Sequence, residues 1–168
     1  RIAPVKHIAN SLVLLGLKDR DTFPLLFYRE NCADMALDAA AIDEAFIAQC
    51  RALLITGTHL STPTVRAAST AALGFAKKHG VVRVLDIDYR PVLWGLTKRG
   101  EGANRFVADA AVTERLQAVL PQFDLLIGTE EEFRIAGGVA GDLLANLRRV
   151  REVTAAAMVV KLGAKGCC

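Results

Sequence analysis

The sequence is poor in aromatic residues and has no strong excess of charge of either sign. Aromatic residues make up 6% of the 168 residues, and the formal net charge is +3, with lysines and arginines dispersed along the chain. A nucleic-acid-binding surface needs clustered basic residues, often alternating with aromatics, and the sequence has no such stripe. No apolar run approaches the roughly 18 residues of a membrane-spanning helix, and no signal peptide precedes the first predicted strand. We therefore expect a soluble protein without nucleic-acid or membrane partners.

Cysteine is scarce as well, and the four cysteines lack the spacing of metal ligands. They are Cys32, Cys50, Cys167 and Cys168. Free thiols in a reduced cytoplasm are the simplest interpretation, so we expect a cytoplasmic location. The chain starts with arginine rather than methionine and stops just past a glycine-containing turn. We therefore expect it to be the middle of a longer protein.

Hydrophobic residues are abundant, at 52% of the sequence, which is enough for one domain with a sizeable core. Two apolar runs at residues 11–17 and 23–29, joined by a polar turn at 18–21, predict an antiparallel hairpin. Further strands are predicted at residues 52–56, 81–87, 123–127 and 157–162. Helices are predicted at residues 42–49 and 142–152, and a short one begins at Thr129. A further helix starts at Ser61 or Thr62 and stops at Gly80. Another follows a loop at residues 95–102 and ends at Leu120.

This alternation of strands and helices is typical of an α/β fold. It predicts a parallel sheet with right-handed crossovers and helices on both faces. No repeat or linker divides the sequence, so we expect residues 1–168 to belong to one domain, with a hairpin at about 11–29 and an α/β core at about 41–168. Each core strand ends in a polar or glycine-rich turn. Because such turns meet at one edge of a parallel sheet, where ligands bind, we expect the functional site there.

The stretch at residues 81–94 is the one most suggestive of a site. It begins as a β-branched apolar run, typical of a buried strand, and continues with Asp86, Asp88 and Arg90. The Arg90 guanidinium could bind a carboxylate or phosphate through two parallel hydrogen bonds. It could equally form a structural pair with Asp86 or Asp88. The sequence leaves both interpretations open.

Three other places have both a structural and a functional interpretation. Thr129 followed by Glu132 forms a capping box, which needs no function, although Glu132 could also lie near a hydrated Mg²⁺. The turn at residues 163–166 could let a nucleotide approach the backbone or could be a simple turn, and it matches neither a Walker loop nor a dinucleotide fingerprint. Tyr28 and Arg29 could reach a sugar hydroxyl or a carboxylate, or could lie on a solvated edge strand.

Five segments together resemble the PfkB family of ribokinase-like sugar kinases. They are Phe-Tyr-Arg-Glu-Asn-Cys-Ala-Asp (27–34), Thr-Gly-Thr-His (56–59), Asp-Ile-Asp-Tyr-Arg-Pro-Val-Leu-Trp-Gly (86–95), Ile-Gly-Thr-Glu-Glu-Glu-Phe (127–133) and Val-Lys-Leu-Gly-Ala-Lys-Gly (160–166). Segment 86–95 is the most specific, because sugar-acid kinases of the family carry a related Asp-x-Asn-x-Arg-x-x-Leu-Trp. The resemblance implies a ribokinase-like three-layer sandwich with a mainly parallel sheet, and a hairpin near the N-terminus that is part of a lid.

The resemblance also implies a reaction: transfer of the γ-phosphoryl group of ATP, with Mg²⁺, to a hydroxyl of a small sugar acid. Arg29 and Arg90 fall where the family's sugar-acid kinases bind the substrate carboxylate. Phe27, Tyr28 and Asp88 then lie on the sugar side of the site. The alternatives are a kinase for a different sugar of the same family, or a non-catalytic sugar- or nucleotide-binding remnant.

On the nucleotide side, Thr129 stands where the family's Asn-x-x-Glu motif has asparagine. Glu132 matches the glutamate of that motif, which organises Mg²⁺ indirectly. Lys161, Gly163 and Gly166 match the strand-end turn that borders the nucleotide.

Two family elements are not found between Arg1 and Cys168. One is the N-terminal Gly-Gly-Asn region, and the other is the Gly-Ala-Gly-Asp motif with the catalytic base, which we expect beyond Cys168. We interpret Asp142, in a superficially similar Gly-Asp, as a helix N-cap. This chain alone is therefore not expected to catalyse. A homodimer formed through the lid is a further hypothesis.

Overall fold

The computed structural model describes residues 7–17, 19, 25–29, 31–98 and 106–168. Near the N-terminus, β1 (Leu12–Leu15) and β2 (Leu25–Tyr28) pair antiparallel, with Leu12 opposite Tyr28. This pairing confirms the predicted antiparallel arrangement. The predicted turn at residues 18–21 lies outside the described residues, apart from Asp19.

The rest of the chain forms a four-stranded parallel sheet with the order β3-β4-β5-β6. The strands are β3 (Ala52–Thr56), β4 (Val82–Asp86), β5 (Leu125–Thr129) and β6 (Ala157–Lys161). The helices are α1 (Glu44–Ala48), α2 (Pro63–Lys78), α3 (Ala110–Val119), α4 (Glu130–Gly137) and α5 (Leu143–Val153). The predicted α/β class with a parallel sheet is confirmed.

The helix boundaries follow local signals that the sequence carries. α2 starts at Pro63, whose ring suits the first helical position, and Gly80 follows it with a left-handed φ of 66°. The Asp142 side chain accepts a hydrogen bond from the backbone N–H of Ala145, which confirms its role as the N-cap of α5.

Two predicted boundaries are wrong. α3 begins at Ala110 rather than directly after the loop predicted at 95–102, because Asp109 caps it and residues 106–109 are not helical. β5 begins at Leu125 rather than at residue 123, because a short 3₁₀ turn, Leu120–Gln122, ends just before Phe123. β5 also extends to Thr129, where Thr129 pairs with Lys161 of β6. This extension brings the start of α4 to the edge of the sheet.

The core lies between the sheet and the helices. Ile55, Leu85, Leu126 and Val160, one from each core strand, pack in a single cluster with residues of α2, α3, α4 and α5. On the opposite face of the sheet, Leu54 is 58% exposed. Strands in sequential order with right-handed crossovers place their helices on the same face. The described residues thus supply the sheet and one helical layer of the expected sandwich.

No helix in the described part of the chain combines the length and the apolar character that crossing a membrane would require.

Candidate functional site

The polar strand ends lie at one edge of the sheet, as the parallel arrangement requires. Thr56 at the end of β3 pairs with Asp86 at the end of β4, and Thr129 at the end of β5 pairs with Lys161 at the end of β6. Gly57 permits a close approach at this edge, because a Cβ atom there would lie 1.9 Å from the Ile87 carbonyl oxygen. The site residues predicted at these strand ends therefore lie on neighbouring strands.

Arg90 forms an ion pair with Asp88, not with Asp86. Its Nη2 lies 2.8 Å from Asp88 Oδ1, and its Nη1 lies 3.6 Å from Glu132 Oε1. Nη1 also donates a hydrogen bond to the Tyr89 carbonyl oxygen at 2.9 Å. The side chains of Arg90 and Asp88 are 31% and 28% exposed, so both can still be reached from solvent. Of the structural partners that the sequence left open for Arg90, the structure selects Asp88.

Glu132 lies at the centre of this network, and the residue is only 2% exposed. Its Oε2 accepts a hydrogen bond from the Thr129 N–H at 2.8 Å, and its own N–H donates to Thr129 Oγ1, so the predicted capping box is present. Its Oε1 accepts from the Tyr89 N–H at 3.2 Å. Glu132 therefore joins the start of α4 to the segment that follows β4, a contact that its position in a capping box does not predict.

The environment of Glu132 bears on how Mg²⁺ could be held. Each carboxylate oxygen accepts one bond from a backbone N–H group and keeps a further lone pair that a water or a cation could use. Among the residues that the structure describes, no group of three or more His, Cys, Asp or Glu side chains is arranged to hold a metal ion.

Lys161 forms an ion pair with Asp86 across the intervening strand β5. Its Nζ lies 3.0 Å and 3.3 Å from the two carboxylate oxygens of Asp86. Gly163 and Gly166 follow in the next turn with φ of 60° and 88°, and the space above their Cα atoms is open. A ligand can therefore approach the backbone of this turn closely.

At the lid end, Arg29 pairs with Asp34. Its Nε and Nη2 both donate to Asp34 Oδ2, the former at 2.8 Å. Phe27 and Arg29 line a cavity of about 210 Å³. Its other lining residues are Asn31, Met35, Thr62, Val92 and Leu93. The N-terminal hairpin thus meets the turn that directly follows Arg90. Tyr28 does not line this cavity, because successive residues of a strand face opposite sides.

Sequence reasoning missed two residues of this site, Asp34 and His59. Burial lowers the pKa of His59, the charge of Arg29 lowers it further, and the charges of Asp34 and Asp88 act in the opposite direction. His59 thus lies within electrostatic reach of both ion pairs. It belongs to a short 3₁₀ turn, Gly57–Leu60. This turn follows β3 and is one of the strand-end turns predicted at this edge, but the approach of Arg29 and Asp34 to His59 depends on the N-terminal hairpin.

Tyr89 anchors the segment that carries Asp88 and Arg90. The residue is 1% exposed, and its hydroxyl donates to the Val107 carbonyl oxygen at 2.6 Å. Burial raises the pKa of Tyr89 to about 12, with a smaller contribution from Asp109. Its side chain is therefore a structural anchor that stays neutral at ordinary pH.

The site as a whole pairs each of its cations with an internal carboxylate. Arg29 pairs with Asp34, Arg90 with Asp88, and Lys161 with Asp86. Such an arrangement can bind an anionic ligand if the ligand replaces an internal partner or uses the remaining donors of a guanidinium.

Comparison with known proteins gives consistent results. The chain is 38% identical over 124 residues to 5-dehydro-2-deoxygluconokinase of Bacillus anthracis (strain CDC 684 / NRRL 3495), a match that covers 74% of this chain and 34% of that protein. The identity and coverage are the same for 5-dehydro-2-deoxygluconokinase of Bacillus thuringiensis (strain Al Hakam). No protein-family model matches the chain.

Solved structures share the fold. A PfkB protein from Polaromonas sp. JS666 superposes with a TM-score of 0.72 at 24% identity, covering 94% of this chain and 49% of that one. A fructokinase from Vibrio cholerae O395, in a form with fructose, ADP and calcium ion bound, superposes with a TM-score of 0.73 at 21% identity, covering 98% and 48%. The present chain spans 34% of the length of the curated relatives that it matches. It shares the fold of these two solved proteins, and over 124 residues it is similar to the curated 5-dehydro-2-deoxygluconokinases.

Proposed function

We propose that the whole protein is a cytoplasmic, ATP-dependent kinase of a small sugar acid. Its most specific substrate would be 5-dehydro-2-deoxy-D-gluconate, phosphorylated to the 6-phosphate in inositol catabolism. The observation that supports this proposal most strongly is the convergence of the lid and the 86–95 segment. Arg29 lines a cavity that is also lined by Val92 and Leu93, in the turn after Arg90. One guanidinium group in the cavity wall, and a second on the residue just before the turn that closes the cavity, suit an acidic substrate.

The substrate side would consist of Arg29 and Arg90, holding the carboxylate, with Phe27, Tyr28 and Asp88 beside the sugar. Guanidinium groups recognise a carboxylate through paired N–H donors, and fixing the acid at one end aligns the hydroxyl at the other. Phosphoryl transfer depends mainly on such alignment, so these residues would contribute to the rate as well as to affinity.

The nucleotide side would consist of Thr129, Lys161, Gly163 and Gly166, with Glu132 acting indirectly on Mg²⁺. ATP would supply the phosphoryl group, and Mg²⁺ would neutralise charge on the phosphates. The positive φ of both glycines and the open space above them suit close contact between backbone and nucleotide. We assign no catalytic base among residues 1–168, which would form one incomplete kinase domain.

The proposal also includes a homodimer, in which two copies of the protein contact each other through their lid hairpins. All four residues of β1 are apolar and at least 43% exposed, from Val13 at 43% to Leu15 at 59%. Exposed apolar side chains on both faces of a strand favour association, and a two-stranded sheet alone is marginally stable in water.

The test is a substrate panel with the full-length protein in a coupled assay of ADP release. The panel contains 5-dehydro-2-deoxygluconate, 2-keto-3-deoxygluconate and fructose. We expect the highest kcat/KM for the first compound. A preference for 2-keto-3-deoxygluconate would make that compound the proposed substrate instead, because its carboxylate could bind to both arginines equally well. Turnover of fructose alone, or of none of the three, would refute a sugar-acid kinase.

A further inference from the structure

We propose that Asp88 is an internal substitute for the substrate carboxylate: it occupies Arg90 before substrate binds, and the sugar acid displaces it on binding. This inference rests on the proposed function and replaces one assignment in it, the contact of Asp88 with the sugar. Asp88 would then oppose the binding of the acid rather than hold the sugar.

The backbone at Asp88 supports a dedicated role. Asp88 has φ of 31°, in the left-handed region that residues other than glycine rarely adopt. The backbone is fixed on both sides, because the Ile87 N–H donates to the Ile127 carbonyl oxygen at 2.8 Å and the Tyr89 N–H donates to Glu132 Oε1. Ile87 and Tyr89 are 0% and 1% exposed. Strained positions that the surrounding structure enforces cluster at functional sites.

The two carboxylates next to Arg90 differ in how easily they can leave. Glu132 is 2% exposed and accepts two backbone N–H bonds, so its position is fixed. The Asp88 side chain is 28% exposed, so water can solvate it once it leaves the guanidinium. Asp88 is therefore the partner that a ligand can replace.

Charge repulsion favours displacement of Asp88 by the substrate carboxylate over binding of both carboxylates to Arg90. A substrate carboxylate that joined Asp88 and Glu132 would place three carboxylates around Arg90, and like charges at such distances repel one another. If the substrate displaces Asp88 instead, the guanidinium keeps two carboxylate neighbours, as it has now. A neutral sugar gains nothing from this exchange, because it carries no group that competes with Asp88.

The decisive variant is Asp88→Asn in the full-length protein. Asparagine keeps the shape of the side chain and tolerates the left-handed backbone, but it removes the competing charge. We expect the KM for the sugar acid to fall roughly two- to fivefold, the scale of a partly exposed ion pair. The KM for the analogue in which the carboxyl group is reduced to an alcohol should not change. Asp88→Gly, which also suits a positive φ, should shift the KM for the acid in the same direction.

Asp124→Asn is the matched control. Asp124 also forms an ion pair with an arginine, Arg83 at 2.7 Å, but it does so beside the opposite ends of the strands. This variant loses the same charge and should leave both KM values unchanged.

The possible outcomes separate the two proposals. If the wild-type enzyme phosphorylates the sugar acid but Asp88→Asn leaves its KM unchanged or raises it, the exchange is wrong and the proposed function stands. Equal decreases in the KM for the acid and in the KM for its neutral analogue would also contradict the displacement of Asp88 by the substrate carboxylate. If the wild-type enzyme uses no sugar acid, both proposals fail.

Discussion

Glu132 is the residue whose replacement tests the site's architecture most sharply. Its carboxylate accepts one hydrogen bond from Thr129 and one from Tyr89, both from backbone N–H groups, and it lies 3.6 Å from Arg90. The substitution Glu132→Gln keeps the size of the side chain. One oxygen can still accept a bond, but the amide NH₂ group must face the other backbone N–H, so one buried donor loses its partner.

The expected cost follows from this loss. A hydrogen bond to a charged group contributes about 1.5–3 kcal/mol, and a buried donor without a partner adds a desolvation penalty of similar size. Because the amide can turn to keep the better of the two contacts, we expect Glu132→Gln to lower the free energy of unfolding by about 2–3 kcal/mol. Chemical denaturation of the full-length protein measures this change.

Glu131→Gln is the control for this substitution. Glu131 is the preceding residue, lies in the same first turn of α4 and is exposed. Its replacement removes the same charge near the helix N-terminus, which contributes less than about 1 kcal/mol. Equal losses of stability in the two variants would show that Glu132 acts only through its charge on the helix, and that its bond to Tyr89 contributes nothing.

Two further predictions concern Gly57 and His59. Gly57→Ala should destabilise the protein by about 1–3 kcal/mol in the same denaturation assay, because its Cβ atom would lie 1.9 Å from the Ile87 carbonyl oxygen. The control is Gly74→Ala, in open space on α2, which should stabilise the protein by about 0.5–1 kcal/mol. Equal effects of the two substitutions on stability would contradict the close approach at Gly57. The pKa of His59 is lowered from 6.5 in the folded protein, so the unfolded chain binds the proton more readily and stability should fall as pH drops below 6.5. His59→Gln should flatten this part of the curve of unfolding free energy against pH, and an unchanged curve would argue against a lowered pKa of the half-buried His59.

Much of the fold could be predicted from the sequence because its signals are local. The β-branched run before Asp86 predicts β4 to within one residue at each end, and the capping box of Thr129 and Glu132 is present in the structure. The antiparallel pairing near the N-terminus follows from two apolar runs separated by a polar turn. Each of these features depends on residues close together in the chain, where periodicity and capping chemistry operate.

The partners within the site could not be predicted, because they depend on tertiary contacts. Asp86 and Asp88 are equally plausible partners of Arg90 in the sequence, yet Asp86 instead pairs with Lys161, on a strand two positions away in the sheet. The end of β3 predicts His59 at this edge of the sheet, but its proximity to Arg29 and Asp34 depends on where the N-terminal hairpin lies. The start of α3 at Ala110 is a different case, because its signal, the Asp109 N-cap, is local and is present in the sequence.

The most direct test of the central claim, that Arg90 recognises the carboxylate of the substrate, is the KM of the Arg90→Ala enzyme for the sugar acid. We predict a rise of roughly tenfold or more in the full-length protein, the effect of losing a charge-assisted contact. The KM for the carboxyl-reduced analogue should change little, and Arg83→Ala at the opposite edge of the sheet should leave both values unchanged. An unaltered KM for the acid in the Arg90→Ala enzyme would contradict the claim.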